Sequence, residues 1–188
     1  MSAIVNMYVF LLPLLLSMSY FSISLSNARF GPGIKPGTPL KTAFIFSLFA
    51  AVLFVGGYYS AGVLARRSEG GGEWVVLIML MITGLRMIIH AWKKKADEKV
   101  YDINLLPVIF AMALALGMNM LFAGIAVRFM ELSMARFAWT LALMVLFISF
   151  SGLLYGLQFR ESFGRTMELV GGIGLLMAGG FYFYSVLP

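Results

Sequence analysis

Long apolar runs, separated by short basic, polar or Gly/Pro-rich stretches, recur six times along the chain. Crossing about 30 Å of hydrocarbon takes roughly 20 residues at the helical rise. Runs near Ile4 to Leu25, Thr42 to Leu64, Trp74 to Trp92, Leu105 to Phe129, Phe137 to Leu157 and Met167 to Val186 reach that length. Each predicts a transmembrane helix. Barrel strands would be about half as long and would alternate in polarity, which these runs do not do. The first run has no Lys or Arg before it, and Ser and Asn rather than a clear small-residue cleavage site after it. It therefore reads as a retained helix, not a leader.

Composition agrees with this pattern. Hydrophobic residues make up 61% of the 188, charged residues 12%, and the mean hydropathy of +0.94 is that of an all-α integral membrane protein. A single membrane domain over residues 1–188 leaves no room for a soluble catalytic unit. Cysteine is absent, which removes disulfides and thiolate metal sites. There is no nucleotide-binding glycine loop, no histidine pair and no nucleophile beside a histidine–carboxylate orienter, so no enzyme and no cofactor are expected.

Orientation follows from Lys and Arg, which accumulate in short cytoplasmic loops. With the N-terminus outside, nine cations lie inside (Arg29, Lys35, Lys41, Lys93, Lys94, Lys95, Lys99, Arg160, Arg165), against four outside (Arg66, Arg67, Arg128, Arg136). Both termini are expected outside. A basic cytoplasmic fringe against anionic lipid accounts for the net charge of +6, and no nucleic-acid partner is implied.

The two halves of the chain also align with each other. A shift of 95 residues lays the second and third spans on the fifth and sixth, matching Lys41 with Arg136, Gly57 with Gly152, Ala61 with Gly156, Glu73 with Glu168 and Gly84 with Gly179. A shift of 100 sets Ser17-Met18-Ser19 on Gly117-Met118-Asn119, the extra five residues fitting the loop Gly31 to Gly37. Repeat one is read as 1–92, a basic cytoplasmic loop as 93–103 and repeat two as 104–188. Three spans per half is odd, so the halves enter the membrane from opposite sides as an inverted repeat. Substrate sites in such folds form near the midplane where the halves meet. Ser19 and Asn119 are the candidates for that place.

Gly84-Leu85-Arg86-Met87-Ile88-Ile89 ending the third span, Glu168-Leu169-Val170-Gly171-Gly172 opening the sixth, and Ser17-Met18 in the first resemble the six-span bacterial manganese efflux pumps of the MntP type. The resemblance covers all six spans. It implies two three-helix halves, export of manganese or another divalent cation, and the bacterial inner membrane. It also implies an Asp in the first span, an acidic residue in the second and an Asp in the fourth, where this chain has Ser19, Ala50 and Asn119. A hard divalent cation is held chiefly by carboxylate oxygens. Ser and Asn offer oxygen without charge, and the neighbouring thioethers of Met18 and Met118 suit softer metals.

Other polar residues have structural readings beside the functional ones. Ser17, Ser19, Ser22, Ser24 and Ser26, at two-residue intervals, serve either close helix packing or a substrate path. Asn119 must face the protein interior, as glue or as part of a path. Arg86, the one charge well inside a span, is expected to pair with Glu168 at the cytoplasmic side. His90 reads as a solvated helix-end residue. The pairs Gly57/Ala61 and Gly152/Gly156 are packing devices, and Phe181 to Tyr184 form an interfacial belt. Two functions stay open: a divergent divalent-metal exporter working on a small ion between the repeats, or a non-transporting subunit that keeps the fold and packs against a partner protein or another copy.

Overall fold

The computed structural model describes residues 2–30, 37–65, 71–93, 102–156, 158 and 161–186. The basic residues Lys94, Lys95, Lys99, Arg66, Arg67 and Arg160, and loop positions 31–36, lie outside the described residues. Six helices follow one another: α1 Ser2–Phe30, α2 Thr38–Ala65, α3 Gly72–Lys93, α4 Leu106–Phe129, α5 Met134–Tyr155 and α6 Glu161–Val186. All six are long and apolar enough to cross a membrane, as the apolar runs predicted. The helices overrun most predicted ends because their backbone hydrogen bonding continues past the apolar stretch, for instance through Arg29 and Phe30 of α1.

Local chemistry sets several ends. Pro107 sits in the first turn of α4, where its missing N–H costs nothing. Asp102 Oδ1 accepts from the backbone N–H and side-chain amide of Asn104 at 2.9 and 3.0 Å, closing the turn before it. The Thr38 hydroxyl then donates to Asn104 Oδ1 at 3.2 Å, tying the start of α2 to the start of α4. At the far end of α4 the Leu132 N–H donates to Val127 O at 3.4 Å, with Glu131 in the left-handed region at φ 55°. This is the usual six-to-one helix stop, here with Glu where Gly is commoner.

Packing arranges the helices as a closed ring in the order α1, α5, α2, α4, α3, α6, with a short contact between α1 and α4 across it. Burial marks the same centre: 61% of the α1 span and 50% of the α4 span are buried, against 28–39% in the other four. Small residues let backbones touch. A side chain at Gly57 would collide with Leu121 O of α4, and one at Gly124 with Phe54 O of α2. On the other side of the ring, a Cβ at Gly152 would stand 3.1 Å from Phe21 O of α1, and one at Gly156 3.1 Å from Leu25 O. Where α3 meets α6, a Cβ at Gly84 would lie 2.7 Å from Gly172 O. With little hydrophobic drive between helices in lipid, such close approach is what packing energy depends on. Aromatic pairs fill the wider gaps, with Phe54 stacked on Phe137 at 4.9 Å and Tyr20 edge-on to Phe46 at 5.5 Å. In the expected belt, Phe181 and Tyr184 are exposed, whereas Tyr182 packs on Tyr8 and Phe183 on Trp74.

Candidate functional site

The serines of α1 have different partners. Ser17 Oγ donates to Leu14 O at 2.7 Å and Ser26 Oγ to Ser22 O at 3.0 Å, each satisfied within its own helix. Ser24 Oγ meets Ser149 Oγ of α5 at 2.7 Å, and Ser22 Oγ donates to Glu168 Oε2 of α6 at 2.9 Å. These four are packing and cross-linking groups. Ser19 differs: it is 1% exposed and its Oγ has no hydrogen-bond partner.

Asn119, the residue that the 100-residue shift sets opposite Ser19, is 6% exposed, and its Oδ1 likewise has no partner. Both lie near the middle of their spans, on the two helices that touch at the centre of the ring. An unpaired buried oxygen costs about 1–3 kcal/mol, so two at aligned positions mark a place not optimised for stability. Tyr20 Oη and Thr42 Oγ1 are also buried and unpartnered, Tyr20 packing on Phe46, one turn from Thr42 along α2. Sequence reading passed over these two, since neither departs from ordinary helix composition. Ala50 is fully buried on α2. Met18 is half-buried with its Cβ against Gly171, whereas Met118 is 41% exposed on the outside of α4.

The expected Arg86–Glu168 pair does not form. Arg86 is exposed, and its Nη2 donates to Ala115 O of α4 at 3.3 Å. Glu168, 1% exposed, bonds instead to Ser22 and, at 2.7 Å, to Nδ1 of His90, whose side chain is 51% exposed. The reason is helix phase. Gly84 and Met87 face α6 through Gly172 and Gly171, which carries His90, one turn beyond Met87, onto Glu168, one turn before Gly172. Arg86 falls on the neighbouring face, toward α4. His90 is therefore a partner of the buried carboxylate and not merely a solvated end residue.

Among the described residues, no three His, Cys, Asp or Glu side chains gather to hold a metal ion. What lies at mid-depth is Ser19 on α1 and Asn119 on α4, each with a buried neutral oxygen that makes no hydrogen bond. A cleft of about 540 Å³ lined by Val9, Phe10, Ala135, Arg136, Trp139 and Thr140 lies near the other end of α1 and includes none of them.

Comparison with known proteins gives this arrangement a family. The family model described as "Putative manganese efflux pump" matches residues 34–182. The chain belongs to the manganese efflux pump family. Relatives named "Putative manganese efflux pump MntP" include one from Crocosphaera subtropica, 26% identical over 164 residues and 87% of each chain. Another, from Elusimicrobium minutum, is 29% identical over 162 residues, 86% of this chain and 87% of its own. A third, from Methanosarcina acetivorans, is 27% identical over 171 residues, 91% of each. No solved structure matches. This member of the manganese efflux pump family is thus a multi-pass membrane protein whose six spans form the ring described above.

Proposed function

We propose that the chain exports a divalent metal cation, manganese(II) foremost, along a path between its two halves. The observation that carries this reading is the pair of buried, unpartnered oxygens, Ser19 Oγ and Asn119 Oδ1, at aligned mid-depth positions of α1 and α4. A membrane protein holds polar groups in that condition at a cost in stability, and such groups mark ion paths. Neutral oxygens can replace part of a cation's hydration shell without retaining it as carboxylates would. Tyr20 on α1 and Thr42 near the start of α2 add two more buried oxygens without hydrogen-bond partners. The metal is cargo, and no chemical step or resident cofactor enters the reading.

The halves are read as inverted repeats, and their contacts support this. Gly57 abuts Leu121, and Gly152 abuts Phe21; each partner corresponds under the two shifts. Gly84 abuts Gly172, and Gly179, the shifted counterpart of Gly84, approaches Leu80 and also Leu77, the counterpart of Gly172. Ser47 Oγ donates at 2.8 Å to Ala142 O, its own counterpart, as expected beside a pseudo-two-fold axis. On the cation count, both termini are read as outside and the α3 end with His90 as lying at the cytoplasmic face of the inner membrane.

The test is metal tolerance and cell manganese content in an exporter-deleted bacterial host, scored for the parent chain and for Ser19→Ala with Asn119→Ala. The parent should raise tolerance and lower cell manganese, and the double variant should lose both effects while still reaching the membrane. A parent chain that changes neither for any divalent metal refutes export. Copurification of a stable membrane partner, together with instability when expressed alone, would favour the subunit reading instead.

A further inference from the structure

We propose that Glu168, held between Ser22 and His90, is the proton-coupling residue of this transporter, exchanging protons inward for metal outward. The proposal rests on the export reading above.

Among the described side chains, Glu168 is the only carboxylate that is buried. An ionisable group inside a membrane span is expensive, and it persists where it serves a relay or an ion path. Its two oxygens are engaged on different helices. Oε2 accepts from Ser22 of α1 at 2.9 Å, and Oε1 meets His90 Nδ1 of α3 at 2.7 Å. Ser22 lies three residues from Ser19, so the two share one face of α1. The carboxylate therefore joins the face that carries the unpartnered Ser19 oxygen to an imidazole that is half exposed at the end of α3.

Histidine suits such a junction because its two nitrogens can gain a proton on one side and lose one on the other. A proton arriving along the α1 face adds to the carboxylate. It passes from the carboxyl oxygen to His90 Nδ1, and the imidazolium then releases its Nε2 proton to cytoplasmic water. The carboxylate is regenerated and His90 is left as the Nδ1–H tautomer donating to Oε1; a turn of the half-exposed ring with proton exchange to water returns it to the Nε2–H form, so one proton moves inward per cycle and nothing is oxidised or reduced. When Glu168 is neutral its hold on the Ser22 hydroxyl weakens, since charge-assisted hydrogen bonds are about twice as strong as neutral ones. The turn of α1 that bears Ser19 is thereby made sensitive to the proton on Glu168.

The other charged or titratable side chains described near this level are engaged elsewhere or exposed. Arg86 donates to Ala115 O on α4, Lys93 of α3 and Arg165 of α6 are exposed, and Tyr20 of α1 packs on Phe46. His90 is in hydrogen-bond contact with the carboxylate at 2.7 Å.

The experiment uses the full chain in liposomes holding a manganese-quenched dye and a pH dye, with Mn²⁺ supplied on one side. The parent should show Mn²⁺ movement accompanied by opposite proton movement. Glu168→Gln should keep Mn²⁺-for-Mn²⁺ exchange and lose the proton signal, and His90→Gln should slow that signal. Parent liposomes that move no Mn²⁺ overturn the export reading and the coupling together. Mn²⁺ movement without a proton signal in the parent, or with an undiminished one in Glu168→Gln, overturns the coupling alone. Should Glu168→Gln fail to fold, Ser22→Ala keeps the carboxylate and His90. A fall in protons moved per Mn²⁺ in Ser22→Ala supports the proposal, and an unchanged ratio overturns it.

Discussion

Removing one hydroxyl from α1 should have opposite effects at two positions five residues apart. Ser24 Oγ bonds Ser149 Oγ across helices at 2.7 Å, with both residues buried. Such a bond inside a membrane is worth about 0.6 kcal/mol on average and up to ~1.7. Ser24→Ala also leaves the Ser149 hydroxyl unpaired, a penalty of about 1–3 kcal/mol where no substitute partner exists. A loss of about 1–2 kcal/mol follows, or roughly 2–8 °C in melting temperature for a chain of this size. Ser19→Ala removes an oxygen that makes no bond, so it should be neutral or stabilising by up to about 1 kcal/mol. Both changes are Ser→Ala within one helix, so the propensity gain of about half a kcal/mol cancels in the comparison. Thermal unfolding in one detergent, followed by loss of the monodisperse peak, measures both. Adding Ser149→Ala to Ser24→Ala should recover part of the loss. Ser19→Ala as damaging as Ser24→Ala would refute the reasoning, because Ser19 would then hold a structural bond, and the polar pair would no longer mark a path.

Gly124→Val should destabilise by about 1–3 kcal/mol or more, since its side chain meets backbone atoms of Phe54 and Tyr58, while Gly180→Ala, with nothing within 4 Å, should stay within about half a kcal/mol in the same melt. Ser19→Asp with Asn119→Asp supplies the charge that manganese(II) favours, and the host should then tolerate more manganese than with the parent; reduced tolerance despite normal membrane levels would count against site placement. Exchanging Arg86 and Glu168 should be no milder than Glu168→Ala in thermal stability, because their side chains do not meet; rescue by the swap would restore the discarded pair. Cysteines introduced singly at Glu131 and Ala96 should react with an impermeant thiol reagent in intact cells and only after lysis, respectively, and the reverse pattern would invert the topology.

The six spans were legible in the chain by itself. Helix is the backbone conformation that an isolated 20-residue apolar segment can satisfy internally in lipid, so length and composition were enough. The small residues at 57, 61, 152 and 156 could be read as contact points for the same reason, whereas the contact at Gly124 came only with the structure. Ser19 and Asn119 could likewise be read as polar groups that had to face inward. Tertiary structure decided the partners. Which of the five serines between positions 17 and 26 of α1 would be left without a bond depends on what α5 and α6 present to each one: Ser149 to Ser24, Glu168 to Ser22, and nothing to Ser19. Likewise Arg86 and His90 lie four residues apart on one helix, and the net apolar character of α3 does not say which will reach a carboxylate 78 residues further along the chain than His90. That choice rests on the rotational phase of α3 against α6, set by the close approach of Gly84 to Gly172, a backbone contact that the composition of neither helix states.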